Sequence, residues 1–162
     1  MKTLTSIHKF KRKILVTGGA GFIASSLAEK LAEDKENLVV VLDNLSTGNI
    51  DKLSHDSDNL RFIKADVNKY VEIMEVMLSY QFHYVFHYAA MVGVLRTQKN
   101  PIGVLDDIKG IENICRLSKN IGVRRVFYAS SSEVYGEPVE FPQNAHTTPL
   151  NSRIPYAIVK NL

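Results

Sequence analysis

Apolar, β-rich runs alternate along this chain with segments whose apolar residues recur at helical spacing. The β-rich runs predict five strands, at residues 13–17, 38–42, 60–64, 84–87 and 125–129. The patterns between them predict helices at residues 22–34, 71–79 and 102–120. In the first helix, Ile23, Leu27 and Leu31 fall on one face. This alternation is typical of a parallel sheet that helices cover on both faces.

The predicted elements follow one another in strand–helix–strand order throughout. Right-handed crossovers then favour an α/β fold with a doubly wound parallel sheet in the spatial order 3-2-1-4-5. The stretch 136–155 carries four of the five prolines and has no clear periodicity. We expect it to form a long loop, and loops of that length are usually functional or mobile.

Composition narrows the class of protein without selecting a partner. At 162 residues and 45% apolar residues, the chain has the length of one domain and can bury a core. Its 20 basic and 17 acidic side chains are spread along the sequence, so the net charge of +3 predicts no nucleic-acid partner. The single cysteine, Cys115, excludes an internal disulfide and a cysteine-based zinc site.

Residues 1–12 are predicted to be a leader that precedes a domain at 13–162. They include basic, Ser and Thr residues but no apolar block of signal-peptide length, and no later run approaches a membrane span. We expect a disordered leader on a cytoplasmic protein that does not enter a membrane. An organellar transit segment is the alternative.

A glycine-rich turn separates the first predicted strand from the first predicted helix. Residues 19–24 read Gly-Ala-Gly-Phe-Ile-Ala and fit the pattern G-x-G-x-x-G/A in the strand-to-helix context that this motif requires. The glycines permit a tight turn and let backbone N–H groups approach a pyrophosphate at the helix N-terminus, where the dipole favours anions. The turn therefore predicts a dinucleotide site.

Two acidic residues at strand ends extend this prediction. Asp43 ends the second strand 22 residues after Gly21, where a carboxylate can accept both ribose hydroxyls of an adenosine and would repel a 2′-phosphate. We therefore expect NAD rather than NADP; a cap on the turn 44–48 is the alternative for Asp43. Asp66 and Val67 follow the third strand at the rim where adenine would lie, and a helix N-cap is the alternative for Asp66.

A tyrosine and a lysine near the C-terminus of the sequence suggest proton chemistry. Tyr156 and Lys160 are four residues apart, so on a helix they share one face. A free phenol has a pKa of about 10, and a neighbouring cation lowers it by favouring the phenolate. Tyr156 could then act as a base on a hydroxyl, with Ser131 at the end of the fifth strand fixing the oxygen. A polar turn and an ordinary helix start are the alternatives.

These segments together resemble the extended short-chain dehydrogenase/reductase family, and within it the NAD-dependent nucleotide-sugar epimerases and dehydratases of the UDP-glucose 4-epimerase type. The segments that carry the resemblance run in family order along nearly the whole sequence: 17–23, 42–48, 87–90, 130–136 and the Tyr156–Lys160 pair. The resemblance implies a Rossmann-like fold, and it implies oxidation of a sugar hydroxyl, at C4 of a UDP-sugar, by hydride transfer to bound NAD.

The resemblance also implies roles for individual residues. Ser131 would hydrogen-bond the reacting hydroxyl, Tyr156 would take its proton, and Lys160 would lower the pKa of Tyr156 and hold the nicotinamide ribose. The residues implied to bind NAD are Gly18, Gly21, Phe22, Ile23, Asp43, Asn44, Asp66, Val67, Ala89, Ala90, Tyr156 and Lys160. Relatives commonly form homodimers through the helix after the fourth strand and the helix that bears Tyr156.

Glu133 and three departures from the family pattern leave the reaction open. Family dehydratases and decarboxylases often carry a glutamate at the position of Glu133, so dehydration or decarboxylation is an alternative to epimerisation; a solvent-facing loop carboxylate is the other reading. Val92 stands where many 4-epimerases have a lysine, and Asp106 and Asp107 stand where relatives usually keep asparagine. Relatives are also about twice as long, with a C-terminal substrate lobe. We therefore expect the cofactor half of an enzyme, with a non-catalytic NAD-binding module as the alternative.

His83 and His87 flank the fourth predicted strand but do not predict a metal site. Residues four apart on a strand are separated by about 13 Å along the chain. No third ligand is evident in the sequence, so we expect both histidines to pack in the core or at its rim.

Overall fold

The computed structural model describes Ile7, residues 9–54 and residues 57–162. Its centre is a five-stranded parallel sheet in the order β3-β2-β1-β4-β5, which confirms the predicted topology. The strands are β1 (Arg12–Thr17), β2 (Asn37–Asp43), β3 (Leu60–Lys64), β4 (Tyr84–His87) and β5 (Arg125–Tyr128). The helices are α1 (Phe22–Ala32), α2 (Tyr70–Tyr80), α3 (Val94–Lys99), α4 (Pro101–Leu105), α5 (Asp107–Ile121) and α6 (Pro155–Lys160), with 3-10 turns at Ile50–Lys52 and Ser132–Tyr135.

The apolar strands supply two separate core clusters because successive side chains of a strand point to opposite faces of the sheet. On one face, Leu15 and Val40 pack with side chains of α2 and α5. On the other face, Val16 and Val41 pack against the small residues of α1. All seven residues of β2 are buried, which explains why its sequence is almost continuously apolar.

The carboxyl ends of β1 and β4 lie side by side at the point where the strand order reverses. Thr17 of β1 is paired with His87 of β4, while Leu42, next to the end of β2, lies on the other side of Thr17. In open parallel sheets, ligands bind in the crevice at this switch point. The fold thus places the glycine-rich turn, which directly follows Thr17, at that crevice.

The helical region after β4 differs from the prediction. The single helix expected at 102–120 is wrong: α4 and α5 are separate helices that meet at Asp106, whose N–H bonds the carbonyl of Gly103 three residues back. α3 was not predicted, because its sequence has no amphipathic pattern. In the structure its apolar residues Val94 and Leu95 are exposed. α4 starts at Pro101, and its N-cap Asn100 accepts a bond from the Gly103 N–H at 2.9 Å.

The described part of the predicted leader is packed rather than disordered. Ile7 and Phe10 are buried in the core cluster that contains Leu15. Arg12 already belongs to β1, and its Nε donates to Asn37 Oδ1 at 2.6 Å. Apolar residues scattered among basic ones carry no periodic signal, so the sequence did not show this packing. Residues 1–6 and residue 8 of the predicted leader lie outside the described residues, and the boundary after residue 12 stays a prediction.

The chain forms two compact units. The first contains the described residues up to Ala89 together with Lys109–Tyr128, and so includes the whole sheet. The second contains Ala90–Ile108 and Ala129–Leu162; within it, α6 packs against α4 and against the 3-10 turn at Ser132–Tyr135. The residues between that turn and α6 form no helix or strand, as predicted. No helix in the described parts of the chain is long and apolar enough to cross a membrane; the cytoplasmic location stays a prediction.

Candidate functional site

The glycine-rich turn is shaped by a glycine with a left-handed backbone. Gly18 has φ +67°, and a Cβ built on it would lie 2.7 to 2.9 Å from backbone atoms of Tyr88 and Ala89. Gly21 is the N-cap of α1 and donates its N–H to the Gly18 carbonyl at 3.0 Å. The turn is therefore as tight as the motif requires, and a side chain at Gly18 would displace the segment that follows β4.

The first turn of α1 is open to solvent. Phe22 and Ile23 open the helix and are 81% and 67% exposed. The first N–H groups of any helix have no acceptor within that helix, and they carry the positive end of its dipole. This end of α1 can therefore receive an anionic group, which is the chemistry expected of a pyrophosphate site.

Asp43 links the glycine turn to the loop after β2. Its side chain is nearly buried; Oδ2 accepts the Ala20 N–H at 3.0 Å and Oδ1 accepts the Leu45 N–H at 2.7 Å. The turn-capping contact that the sequence offered as an alternative is thus present. An ionised carboxylate has about four acceptor positions, so these two bonds leave capacity for ribose hydroxyls. That second role stays a prediction.

Asp66 shapes the turn between β3 and α2. Its Oδ1 accepts the Asn68 N–H at 2.9 Å, and its Oδ2 lies 3.4 Å from Asn44 Nδ2, which donates to it. The helix N-cap alternative for Asp66 is wrong, because α2 begins at Tyr70 with Lys69 as its N-cap. Val67 is buried, and its carbonyl accepts a bond from Asn113 Nδ2 at 2.8 Å. Adenine contacts by Asp66 and Val67 stay predictions.

The sequence did not single out Thr17, whose hydroxyl joins the ends of β1 and β4. Thr17 Oγ1 lies 2.7 Å from Nδ1 of the buried His87 and accepts the Ala89 N–H at 3.3 Å. The sequence feature that could have indicated this role is a threonine at the end of an otherwise apolar stretch. The contact fixes the backbone where Ala89 leaves the strand, beside Gly18.

His83, which precedes β4, and His87, the last residue of β4, have different hydrogen-bond partners. His83 Nδ1 accepts the Lys13 N–H at 3.0 Å, and burial together with the charges of Arg124 and Lys13 lowers the pKa of His83. Among the residues that the structure describes, no group of three or more His, Cys, Asp or Glu side chains could hold a metal ion.

The second unit carries the predicted catalytic residues. Ser131 is the N-cap of the 3-10 turn, and its Oγ accepts the Glu133 N–H at 3.2 Å. Ser131 is partly buried, whereas the Glu133 side chain is exposed. Ala90, the first residue of this unit, is partly buried, and Val92 is exposed.

Lys160 is a buried lysine at the end of α6. It is 5% exposed, its Nζ donates to the Ala129 carbonyl at 2.9 Å, and Nζ lies 6.0 Å from the centre of the Tyr156 ring. Ser130 Oγ donates to the Lys160 carbonyl at 3.3 Å. Burial lowers the pKa of Lys160 from its ordinary value, and the Asp107 carboxylate opposes this shift. The predicted one-face pairing of Tyr156 and Lys160 is present within α6.

The predicted residues thus fall into two groups. Within the first unit, the fold brings together the glycine turn, Asp43 and Ala89, through the contacts of Gly18, Ala20 and Thr17. Within the second unit, the 3-10 turn that Ser131 caps packs against α6, which bears Tyr156 and Lys160. The first group combines a tight glycine turn with a carboxylate, and the second has a phenol, a cation and a hydroxyl.

Comparison with known proteins identifies the family of the chain. Residues 14–162 match the NAD dependent epimerase/dehydratase family. The chain is 34% identical over 152 residues to UDP-glucose 4-epimerase of Mycolicibacterium smegmatis, covering 91% of this chain and 48% of the relative. It is 36% identical over 136 residues to UDP-glucuronic acid decarboxylase 6 of Arabidopsis thaliana, covering 81% of this chain and 37% of the relative.

Solved structures share the fold. The UDP-glucose-4-epimerase from Stenotrophomonas maltophila, with bound NAD and formylated UDP-arabinopyranose, superposes with a TM-score of 0.82 at 26% identity, covering 93% of this chain and 46% of that one. The chain belongs to the NAD dependent epimerase/dehydratase family. It spans about half the length of the 4-epimerases it matches, and less of the decarboxylase.

Proposed function

We propose that this chain binds NAD at the Gly18–Gly21 turn and forms the cofactor-binding part of an enzyme that oxidises a hydroxyl of a nucleotide sugar. The observation that carries the proposal is the turn itself, in a chain of an NAD-dependent family. Gly18 leaves no room for a Cβ, Gly21 caps α1, and the exposed first turn of α1 offers N–H groups to a pyrophosphate.

The residues around the turn fit NAD in charge as well as in shape. The Asp43 carboxylate already accepts two N–H bonds and can accept ribose hydroxyls, but it would repel the 2′-phosphate of NADP. Asn44, Asp66, Val67 and Ala89 are the further residues of the first unit that we assign to the cofactor. When bound, NAD supplies the acceptor for the hydride that leaves the sugar carbon.

The second unit supplies the proton chemistry. Tyr156 would take the proton of the reacting hydroxyl, while Ser131 would donate a hydrogen bond to its oxygen and so hold it. Lys160 would hold the nicotinamide ribose, and its ammonium lies on the same helix as Tyr156. Ala90, which follows the end of β4 in the sequence, is also assigned to the cofactor. The bond from Lys160 Nζ to the Ala129 carbonyl supports this role because it fixes the ammonium next to the segment that bears Ser131.

The substrate we propose is a UDP-sugar oxidised at C4, with epimerisation as the net reaction. The relatives named for 4-epimerase activity on UDP-glucose support this choice. Decarboxylation is the second candidate, because the chain is also 36% identical to a UDP-glucuronic acid decarboxylase and carries the exposed Glu133 two residues after Ser131. Dehydration using Glu133 belongs to the same alternative.

Titration calorimetry with NAD and NADP tests the cofactor assignment on this chain. We expect NAD to bind more tightly than NADP, and Asp43→Ala to weaken NAD about 10- to 100-fold, the value of a hydrogen bond to a charged group. Asp51→Ala, which changes a carboxylate in the 3-10 turn at Ile50–Lys52, is the matched control and should leave NAD affinity unchanged. Tighter binding of NADP by the parent chain would contradict the ribose argument.

Turnover of UDP-glucose and UDP-glucuronic acid by the full-length protein tests the reaction. Tyr156→Phe should lower turnover about 10²- to 10⁴-fold, the usual contribution of a general base, and leave NAD affinity nearly unchanged. Tyr70→Phe, at the start of α2, is the control. Carbon dioxide release from UDP-glucuronic acid that Glu133→Gln abolishes would favour the decarboxylase, and NAD binding without any turnover would favour a non-catalytic module.

Pairing of two copies is a further part of the proposal. Apolar side chains of α3, α4 and α6 are exposed, namely Val94, Leu95, Ile102, Leu105 and Ile158. These are the helices after β4 and the helix that bears Tyr156, through which we expect a homodimer. Sedimentation equilibrium should give twice the chain mass, and Leu95→Glu should return the protein to a monomer.

A further inference from the structure

Three basic residues form a row across the amino ends of strands β1, β4 and β5. The His83 N–H donates to the Lys13 carbonyl at 2.8 Å, and the Arg124 N–H donates to the His83 carbonyl at 2.9 Å. The residues that directly follow these three are paired with one another across the same strands. Lys13, His83 and Arg124, termed here the cationic row, are therefore neighbours in register.

The three side chains of the cationic row lie on one face of the sheet, because successive side chains of a strand alternate between faces. The residues two positions further along, Leu15, Val85 and Val126, all belong to the core cluster that contains side chains of α2 and α5. Adjacent strands are about 4.8 Å apart, so the row gathers three basic groups within about 10 Å. All of these residues belong to the first compact unit.

His83 supplies a neutral donor in the middle of the row. Its Nδ1 accepts the Lys13 N–H at 3.0 Å, so in the neutral ring the proton is assigned to Nε2. Burial, together with the charges of Arg124 and Lys13, lowers the pKa of His83 and favours this neutral form. The row thus offers the Lys13 ammonium, the His83 Nε2–H and the Arg124 guanidinium as hydrogen-bond donors.

The charge of the row is not neutralised by carboxylates of the described residues. Within that part of the chain, no ion pair joins the lysine or the arginine of the row to an acidic side chain. Asp34 and Glu36, which precede β2, pair with Arg12 and Lys11 instead. The row therefore keeps two positive charges side by side.

The ends of two helices compensate only part of this charge. α2 ends at Tyr80 and α5 ends at Ile121, shortly before His83 and Arg124 in the sequence. The carbonyl end of a helix is equivalent to about half a negative charge, so two such ends leave about one positive charge of the row uncompensated. An oxyanion of the phosphate type supplies that charge together with several acceptor oxygens for the three donors.

We propose that the cationic row is a binding site for a phosphate-type oxyanion, at the opposite end of β1 from the glycine turn. Lys13 and Arg124 contribute positive charge, and the His83 Nε2–H donates a hydrogen bond between them. Inorganic phosphate and the phosphate groups of a nucleotide share this chemistry, and separate titrations distinguish the two sources.

Long-range 1H–15N spectra of the histidine rings in the whole chain measure this binding. Sodium phosphate, UDP or sodium chloride is added at matched ionic strength, with the His83 signals assigned from His83→Gln. We expect phosphate to shift the His83 signals in a saturable manner with millimolar affinity, and chloride not to do so. His146, which is exposed, is the internal reference and should respond equally to phosphate and chloride. Saturation by UDP at a lower concentration than by phosphate would identify a nucleotide as the source of the anion, and equal or weaker action of UDP would identify free phosphate.

Variants of the two charged members of the row test which side chains hold the anion. Lys13→Gln and Arg124→Gln each remove one positive charge and keep a polar side chain. Each should weaken phosphate binding about 5- to 10-fold, as expected for a hydrogen bond to a charged group at a partly exposed site. Lys52→Gln, which removes an exposed charge in the 3-10 turn at Ile50–Lys52, is the matched control and should leave the affinity unchanged. The titration of the parent needs no variant, so the test does not depend on the folding of Lys13→Gln.

Three results would each overturn the proposal: a His83 response to phosphate no larger than that to chloride, an equal response of His146 to phosphate, or equal weakening of binding by Lys52→Gln. The helix ends alone would then be sufficient to stabilise the row. None of these measurements depends on NAD binding or turnover. Failure here would count against the anion site and leave the proposed function unaffected.

Discussion

Replacing Gly18 with alanine tests the turn on which the cofactor assignment depends. Gly18 has φ +67°, a backbone conformation that costs an L-residue about 1–2 kcal/mol. The new Cβ would also lie 2.7 Å from the Ala89 nitrogen, 2.8 Å from the Ala89 Cα and 2.9 Å from the Tyr88 carbonyl carbon. These are backbone atoms held by strand β4 and by the bond from Ala89 to Thr17, so they cannot swing away as a side-chain tip would.

The expected loss of stability is the sum of the two costs. Forcing an extra group into packed surroundings costs about 1–3 kcal/mol. Together with the backbone conformation, Gly18→Ala should lower the free energy of unfolding by about 2–5 kcal/mol. Gly122→Ala is the matched control, since Gly122 has φ +74° with nothing within 4 Å of its Cβ position, and it should cost about 1–2 kcal/mol.

Urea unfolding of the parent and both variants, followed by circular dichroism, measures this difference. Gly18→Ala should be less stable than Gly122→Ala by about 1–3 kcal/mol. Equal decreases in the free energy of unfolding of the two variants would refute the reasoning. The close approach of the turn to the segment after β4 would then have no effect on stability. A similar slope of free energy against urea in all three proteins would show that the comparison concerns stability alone.

Two further predictions concern polar groups inside the first unit. Because the pKa of folded His83 lies below its ordinary value of 6.5, the unfolded chain takes up the proton first as the pH falls. The free energy of unfolding should thus decrease below about pH 6.5, and urea midpoints of His83→Gln should depend less on pH; an equal dependence would contradict this. Asn59→Ala removes bonds from the buried Nδ2 to the carbonyls of Ala32 and Asn37, both 2.9 Å long, and should cost about 2–4 kcal/mol in the same assay. Asn161→Ala, at an exposed position, should cost much less, and similar losses would argue against a buried role for Asn59.

Local patterns were enough to predict the sheet and its order. Each strand is a short apolar run between breakers, and the handedness of crossovers leaves few ways to connect five such strands. The glycine turn was predictable for the same reason, since Gly18 and Gly21 sit in sequence between β1 and α1. Tyr156 and Lys160 share a helix face because four residues on a helix make about one turn.

Contacts between residues distant in sequence were not predictable in this way. Burial of Ile7 and Phe10, the bond from the Ala20 N–H to Asp43, and the hydrogen bond between Thr17 and His87 all depend on segments that the fold alone brings together. The break between α4 and α5 at Asp106 also went unseen, because the apolar spacing continues across a one-residue turn.

Asp107 shows the difference most clearly. The family resemblance marked Asp107 as a departure from asparagine, but the sequence did not show what its carboxylate would contact. In the folded chain its Oδ2 accepts the Met91 N–H at 2.7 Å, so the carboxylate contacts the backbone of the loop after β4, 16 residues earlier in the sequence. A periodic pattern specifies which face of an element is buried, whereas the partner of a polar group depends on the three-dimensional path of the whole chain, which short-range patterns do not encode.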